Sequence, residues 1–340
     1  MRQEPIAQGL QGYLGLLTTV ASAPDPEFYR CVSEAHLFGG RSEMFVRCFS
    51  VFAAMLMLLA GSTIGLAQEQ LAWKFSAGES LQYVVKQNMK MTMNIADKTQ
   101  QIAMSQTMDM QWKIVNVDPA SGDVDMGQTV ERVQMDSQGG PIGTLKFDSS
   151  STEVPKTPYG KAIADIFKKL IGQEFGVHML STGKIDQVTV PESLLAALKQ
   201  SGSTGNALDE NTLKQLMTQS AVVLPETPIN TGHMWESMQQ IQMPFGTMTV
   251  KSKLTFEGID SSTGQARIAM TPSISLTPKQ GTEINLKLTK TEGKGSLLFD
   301  VARGRITKSD LELRMEMQTN SFGQVIDQTI EQRTSMALAN

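Results

Sequence analysis

Residues 81–95 read LQYVVKQNMKMTMNI. Leu81, Tyr83, Val85, Met89, Met91, Met93 and Ile95 occupy the odd positions, with Gln87 as the one polar member of that set. The even positions are mostly polar, with Gln82, Lys86, Asn88, Lys90, Thr92 and Asn94, and Val84 as the exception. Apolar and polar residues alternating with period two predict a β-strand with one buried face. The pattern continues beyond a turn at Ala96–Thr99, now on even positions: Ile102, Met104, Gln106, Met108, Met110, Trp112 and Ile114. A DPASG turn at Asp118–Gly122 leads to a third strand near Val124–Met135. The amino-terminal part is therefore an antiparallel meander of strands longer than average.

The middle of the chain changes period. TPYGKAIADIFKKLIG offers Thr157 as a helix cap, Pro158 at the first helical position and Gly172 as a stop, with Ile163, Ile166, Phe167 and Leu170 on one face. EFGVHMLSTGKIDQVTV predicts a hairpin turning at Ser181–Gly183. PESLLAALKQSG predicts a helix that buries Leu194, Leu195 and Leu198. DENTLKQLMTQS predicts a third short helix with Leu213, Leu216 and Met217 inward. Strand patterns return after Pro228, in MTVKSKLTF, INLKLT, LELRMEMQT and QVIDQTIEQRTSMAL, with Trp235 anchoring a strand entered from a turn at Gly232. The spacing of Met91 and Met93 to Ile102 repeats in that of Met315 and Met317 to Ile326, from a duplicated element or from two hairpins of equal length. The order strands, helices, strands defines an α+β fold. We expect a large, curved, mainly antiparallel sheet, incomplete-barrel-like, with about three short helices on its concave face.

Ahead of this domain, residues 44–67 have a secretory signal peptide's layout. Arg41 and Arg47 are basic, Val51–Leu66 is apolar, and Gly65 and Ala67 are small residues before Gln68. The apolar run is shorter than the roughly 20 residues of a spanning helix, and Gly61, Ser62 and Thr63 interrupt it. Residues 1–43 lie upstream and are read as a leader or an over-extended reading frame. Residues 68–340 are then a single exported β-rich domain with a helical insert near 157–219. The expected destination is the periplasm, cell envelope or exterior, with cleavage after Ala67 leaving no stable membrane span. Cys31 and Cys48 both precede Gln68, so the exported part has no disulfide, thiol nucleophile or thiolate metal site.

Several chemistries find no support. The net charge is −4 and aromatics are 6% of the chain, which with no basic stripe argues against nucleic acid. His178 and His233 are isolated, and no nucleophile elbow, phosphate loop or S-x-x-K occurs. No catalytic residue, metal site or cofactor is assigned. The methionines remain: Met89, Met91, Met93, Met104, Met108, Met110, Met315 and Met317 all fall on predicted apolar strand faces. Thioethers suit Cu(I), but residues at about 6.8 Å intervals along one strand do not converge on a metal. Two readings stay open: core packing under the helices, or a pliable surface that takes an acyl chain or a lipid-modified partner. Gln87, Gln106, Gln328 and Gln332 interrupt the same faces and need partners if they are buried.

The segments WKFSAGESLQYVVKQNMKM (73–91), SQTMDMQWKIVNVD (105–118), LPETPINTGHMWE (224–236) and GQVIDQTIEQRTSM (323–336) together resemble an uncharacterised family of exported bacterial proteins, a domain of unknown function. The resemblance covers most of 70–338 and implies export, with no catalytic residue to carry over. A weaker, fold-level likeness is to periplasmic lipoprotein carriers, which wrap an incomplete barrel around helices. The expectation is a non-catalytic protein binding an apolar or lipidic ligand, possible lipoproteins included. The alternative is a structural or protein–protein interaction module with a filled core.

Overall fold

The computed structural model describes residues 68–339 apart from 96–97, 140–142, 201–209, 211–212, 215–216, 218–221, 244–245, 280–284 and 322–323. The leader and signal-peptide readings at 1–43 and 44–67 lie outside the described residues. Met89–Met93 does form a strand, within β1 (Ser80–Ile95), followed by β2 (Lys98–Val117) and β3 (Val124–Gly139) as an antiparallel meander. After the short β4 (Leu145–Asp148) come α1 (Pro158–Leu170), the hairpin β5 (Glu174–Met179) and β6 (Ile185–Thr189), and α2 (Glu192–Gln200). Six further strands complete the chain: β7 (Met234–Met243), β8 (Gly246–Asp260), β9 (Gln265–Pro278), β10 (Asn285–Asp300), β11 (Arg305–Ser321) and β12 (Gln324–Leu338).

All twelve strands belong to one open sheet, ordered β6-β5-β3-β2-β1-β12-β11-β10-β9-β8-β7, with β4 attached to β3. Every registered pair is antiparallel. Chain order becomes spatial order except at β3, whose edge takes both β4 and β5, and where β1 pairs β12, which joins the two meanders through the middle of the sheet.

α1 starts as its sequence requires. The Thr157 side chain accepts from the Gly160 amide at 3.0 Å, Pro158 sits in the first turn, and Lys168 and Lys169 meet the carbonyl end. Two helices form among the described residues, fewer than the three expected. Most of the third predicted helix lies outside them; Glu210, Leu213, Lys214 and Met217 have helical backbone, and Leu213 and Met217 pack on the main core.

That core occupies one end of the sheet's inner face. It joins Ile114, Met126 and Val177 on one flank to Leu254, Ile268 and Phe299 on the other. The segments around Leu71 and Trp73, and from Val222 to Ile229, thread between the flanks. The Trp73 ring lies 5.8 Å from Phe299 of β10 and 6.0 Å from Trp112 of β2. In a flat sheet those strands, four apart, would be about 19 Å from one another. The inner face is therefore concave, and Trp73 fills the hollow. Gly183 makes room for it with φ +91°, since a Cβ there would stand 2.3 Å from the Trp73 Nε1. Tyr83, buried nearby, donates to the Ile306 carbonyl at 3.1 Å, and burial raises its pKa.

Candidate functional site

Strand pairing arranges the inner face in rows that run across the strands. One row holds Ile102, Met91, Ile330, Met315 and Thr291. The next toward the hairpin tips holds Gln100, Met93, Gln328, Met317 and Leu288. Met91, Met315 and Met317 are buried, and with Ile102, Ile330 and Leu286 they form a cluster against which Met89, Met93, Ile274, Leu276 and Leu288 pack.

The remaining candidates lie elsewhere. Met108 is buried and Met104 half-buried in a separate cluster with Val133, Met135, Phe147 and α1 residues Ile163, Ala164 and Phe167. Met110 is half-buried opposite Tyr83 and Val130. The eight methionines share one face but not one patch. The expected helical roof is corrected accordingly. α1 covers only the Met104–Met108 part, because β4 draws the helix over β2 and β3. The Met91–Met315–Met317 zone packs with β9 and β10 side chains instead.

A belt of buried polar residues separates this methionine zone from the main core. Gln106 and Gln87 face one another across β2 and β1, and Gln332 lies one row nearer the tips, with Ser137 in the same row on β3. Ser252 and Ser237 pair on β8 and β7, with Gln239 beside them. Gln332 donates to the Thr334 hydroxyl at 3.1 Å, and Gln328 to the Thr319 hydroxyl at 3.4 Å. The four glutamines flagged by the sequence thus turn inward, three of them buried and Gln328 half-buried. The buried hydroxyls of Ser137 and Ser237 meet no hydrogen-bond partner among the described residues. A buried hydroxyl left without a partner costs about 1–3 kcal/mol.

The opposite face is polar and carries a shallow groove of about 950 Å³. Two rows of outward side chains flank it. One contains Asn88, Arg333, Glu312 and Lys294; the other contains Lys90, Glu331, Arg314 and Glu292. Ion pairs zip each row lengthwise, Arg333 and Lys294 to Glu312, and Arg314 to Glu331. Asp136 on β3 extends the first row, and with it four cations face four anions, so the lining carries no net formal charge. Among the described residues no group of three or more His, Cys, Asp or Glu could hold a metal ion. His178 pairs with Asp125 at 2.7 Å on the surface, and that contact raises its pKa. Asp148 accepts from Arg132, Ser150 and Gln134, which hold its carboxyl below the usual range while tying β4 to β3. No helix among the described residues is long and apolar enough to cross a membrane.

These features define an open, all-antiparallel sheet protein with a zoned concave face. The chain belongs to a family of unknown function (DUF6263), whose profile matches residues 121–306. No curated protein sequence matches it. Among solved structures, one of lipovitellin, described for its lipid–protein interactions, is 12% identical with a TM-score of 0.43 over 78% of this chain. The chain spans about a quarter of lipovitellin's length (26%). An outer-membrane channel from Pseudomonas putida F1 is 4% identical, with a TM-score of 0.23 over 78% of this chain and 97% of its own.

Proposed function

We propose that this is a non-catalytic exported protein that binds an apolar or lipidic ligand at the cell envelope, using the methionine zone of the inner face. One observation carries the reading. The methionine zone is an apolar cluster distinct from the main core and from the Met104–Met108 cluster under α1, and Gln87, Gln106 and Gln332 lie buried between it and the main core. A single core needs no internal polar partition, and partitioning it forgoes apolar burial. Unbranched thioether side chains repack around varied apolar shapes with little rotamer cost. Half-buried Met89, Met93, Ile274, Leu276 and Leu288 leave apolar surface at the edge of the zone. The signal-peptide layout of 44–67 supports export.

A structural or interaction module is the second reading. It is favoured by the burial of Met91, 1% exposed between Ile102 and Ile330. Equilibrium titration with dansyl-undecanoic acid separates the two. The carrier reading predicts saturable fluorescence enhancement that oleate reverses and that Met315→Gln with Met317→Gln weakens. No saturable signal would leave the module reading standing.

A further inference from the structure

The register of β9 against β10 stops short. These strands pair only from Gln265–Met270 to Gly295–Asp300, although both continue for many residues beyond. Among the described residues, the backbone of the β9 arm past Met270 pairs with β8 on one side only, and that of the β10 arm past Gly295 with β11 on one side only. The wall of the sheet thus has a seam bounded by residues 271–278 and 285–294.

The position of the seam follows the zoning of the inner face. The last paired inward row contains Gly295, Leu311, Thr334, Gln87 and Gln106, so pairing stops within the polar belt, between the Gln87–Gln106 row and the Gln332 row. The first unpaired row contains Gly293, Leu313, Gln332, Met89 and Met104, and the rows after it hold Met91 with Met315 and Met93 with Met317. Alongside the main core β9 and β10 are joined by backbone pairing; alongside the methionine zone, among the described residues, they meet only through side chains, Pro272 over Gly293 and Ile274 and Leu276 against the Leu286–Met315–Met317 cluster.

Sequence keeps the seam from closing. Phe256 exchanges backbone hydrogen bonds with Gly232 and His233 on the β7 side. Alternation along β8 then turns Thr255, Lys253 and Lys251 toward β9, and their partners Ala269, Thr271 and Ser273 toward β8. Pro272, Ile274, Leu276 and Pro278 are left facing the seam. Two of these four have no N–H to donate. The Pro272 ring also fills the space over Gly293, where a Cβ would stand 2.4 Å from its Cγ. Prolines on a strand edge block the addition of another strand, so a peptide is a poor occupant. The inward side chains along the seam are Ile274, Leu276, Leu286 and Leu288, all in contact with the methionine cluster. Pro272 and Pro278 present no donor to the seam, whereas the Ile274 and Leu276 amides do, so a hydrocarbon chain is received by the inward side chains Ile274, Leu276, Leu286 and Leu288 and not by the backbone edges.

We propose that the β9–β10 seam is the port through which a single acyl chain reaches the methionine zone. This rests on the carrier reading above and adds the route and the kind of ligand, a linear hydrocarbon chain. The test uses the full chain with Cys31→Ser and Cys48→Ser, carrying Ser275→Cys with Lys290→Cys on opposite arms. A second pair, Ser273→Cys with Glu292→Cys, lies one residue beyond the Pro272–Gly293 contact. Each pair is bridged with a flexible bismaleimide, the bridge is verified by intact mass, and the control is the same variant capped with N-ethylmaleimide. Stopped-flow uptake of dansyl-undecanoic acid should be slower by about tenfold or more in the bridged forms, as expected when a gate is tied. Uptake rates within about twofold of the capped control in both pairs overturn the port and leave the carrier reading intact. Failure of the capped controls to take up probe overturns the carrier reading, and the port with it.

Discussion

Met91→Ala is the sharpest probe of the methionine zone. Met91 is 1% exposed, with Ile102 at 2% and Ile330 at 1% directly beside it on the neighbouring strands. Neighbours so fully enclosed have little freedom to collapse into a void, and Met→Ala in such a site costs about 2–5 kcal/mol. We take the middle of that range, about 3.5 kcal/mol. Met93, one row nearer the hairpin tip and half-buried, already has part of its side chain in water, so Met93→Ala should cost about 1 kcal/mol. Met91→Leu, which nearly conserves volume, should stay below about 1.5 kcal/mol. Urea denaturation followed by tryptophan fluorescence reads all three as midpoint shifts at constant slope. In a thermal scan the Met91→Ala loss corresponds to about 7–14 °C. If Met91→Ala and Met93→Ala both fall within about 1 kcal/mol of wild type, Met91 is not enclosed and the zone is an open surface.

Gly183→Ala should destabilise by about 2 kcal/mol or more, because the new methyl meets the Trp73 indole and the Val222 carbonyl at 2.3 and 2.4 Å in a backbone conformation that disfavours side chains; urea midpoints check it. Asp148→Asn should lower stability at neutral pH, through loss of the charge-assisted bonds to Arg132 at the partly exposed β3–β4 edge; urea midpoints check it. The Asp148 pKa is lowered in the fold, so its contribution is present above the ordinary carboxylate range near 3.9 and lost as pH falls below it. The gap between wild type and Asp148→Asn should therefore shrink in acid. His178 behaves oppositely: its pKa is raised by Asp125, so that pair stabilises below the ordinary histidine value and is lost as pH rises through the raised one. The denaturation midpoints of wild type and His178→Gln should converge as pH increases.

The strands from Leu81 to Ile114 were legible because long, strict alternation leaves a single reading, and the inward turn of Gln87 and Gln106 followed from register alone. The cap at Thr157 and the stop at Gly172 were equally plain, being local chemistry. β9 was not read as a strand, because Pro272 and Pro278 in QARIAMTPSISLTP are residues that ordinarily demote one. Those prolines were the available signal for a seam, and it becomes interpretable only once pairing shows which edge they face. β4 escaped notice because four residues carry too little periodicity. The helical roof was misplaced because which layer covers which part of a curved sheet depends on contacts distant in sequence, as between Ile274 and the Met315–Met317 cluster. The spacing echo dissolved for the same reason. Met91 pairs directly with Ile102, whereas Ile326 pairs with Thr319 and Met315 with Ile330.

Whether the partitioned methionine zone carries a natural ligand is answered most directly by native mass spectrometry of the protein isolated from its own cell envelope without detergent, followed by solvent extraction. The account predicts a bound species in the range of a single- or double-chain lipid, released into the organic phase and depleted in protein carrying Met315→Gln and Met317→Gln. Repeated isolation of the bare polypeptide mass, with an empty extract, would contradict it.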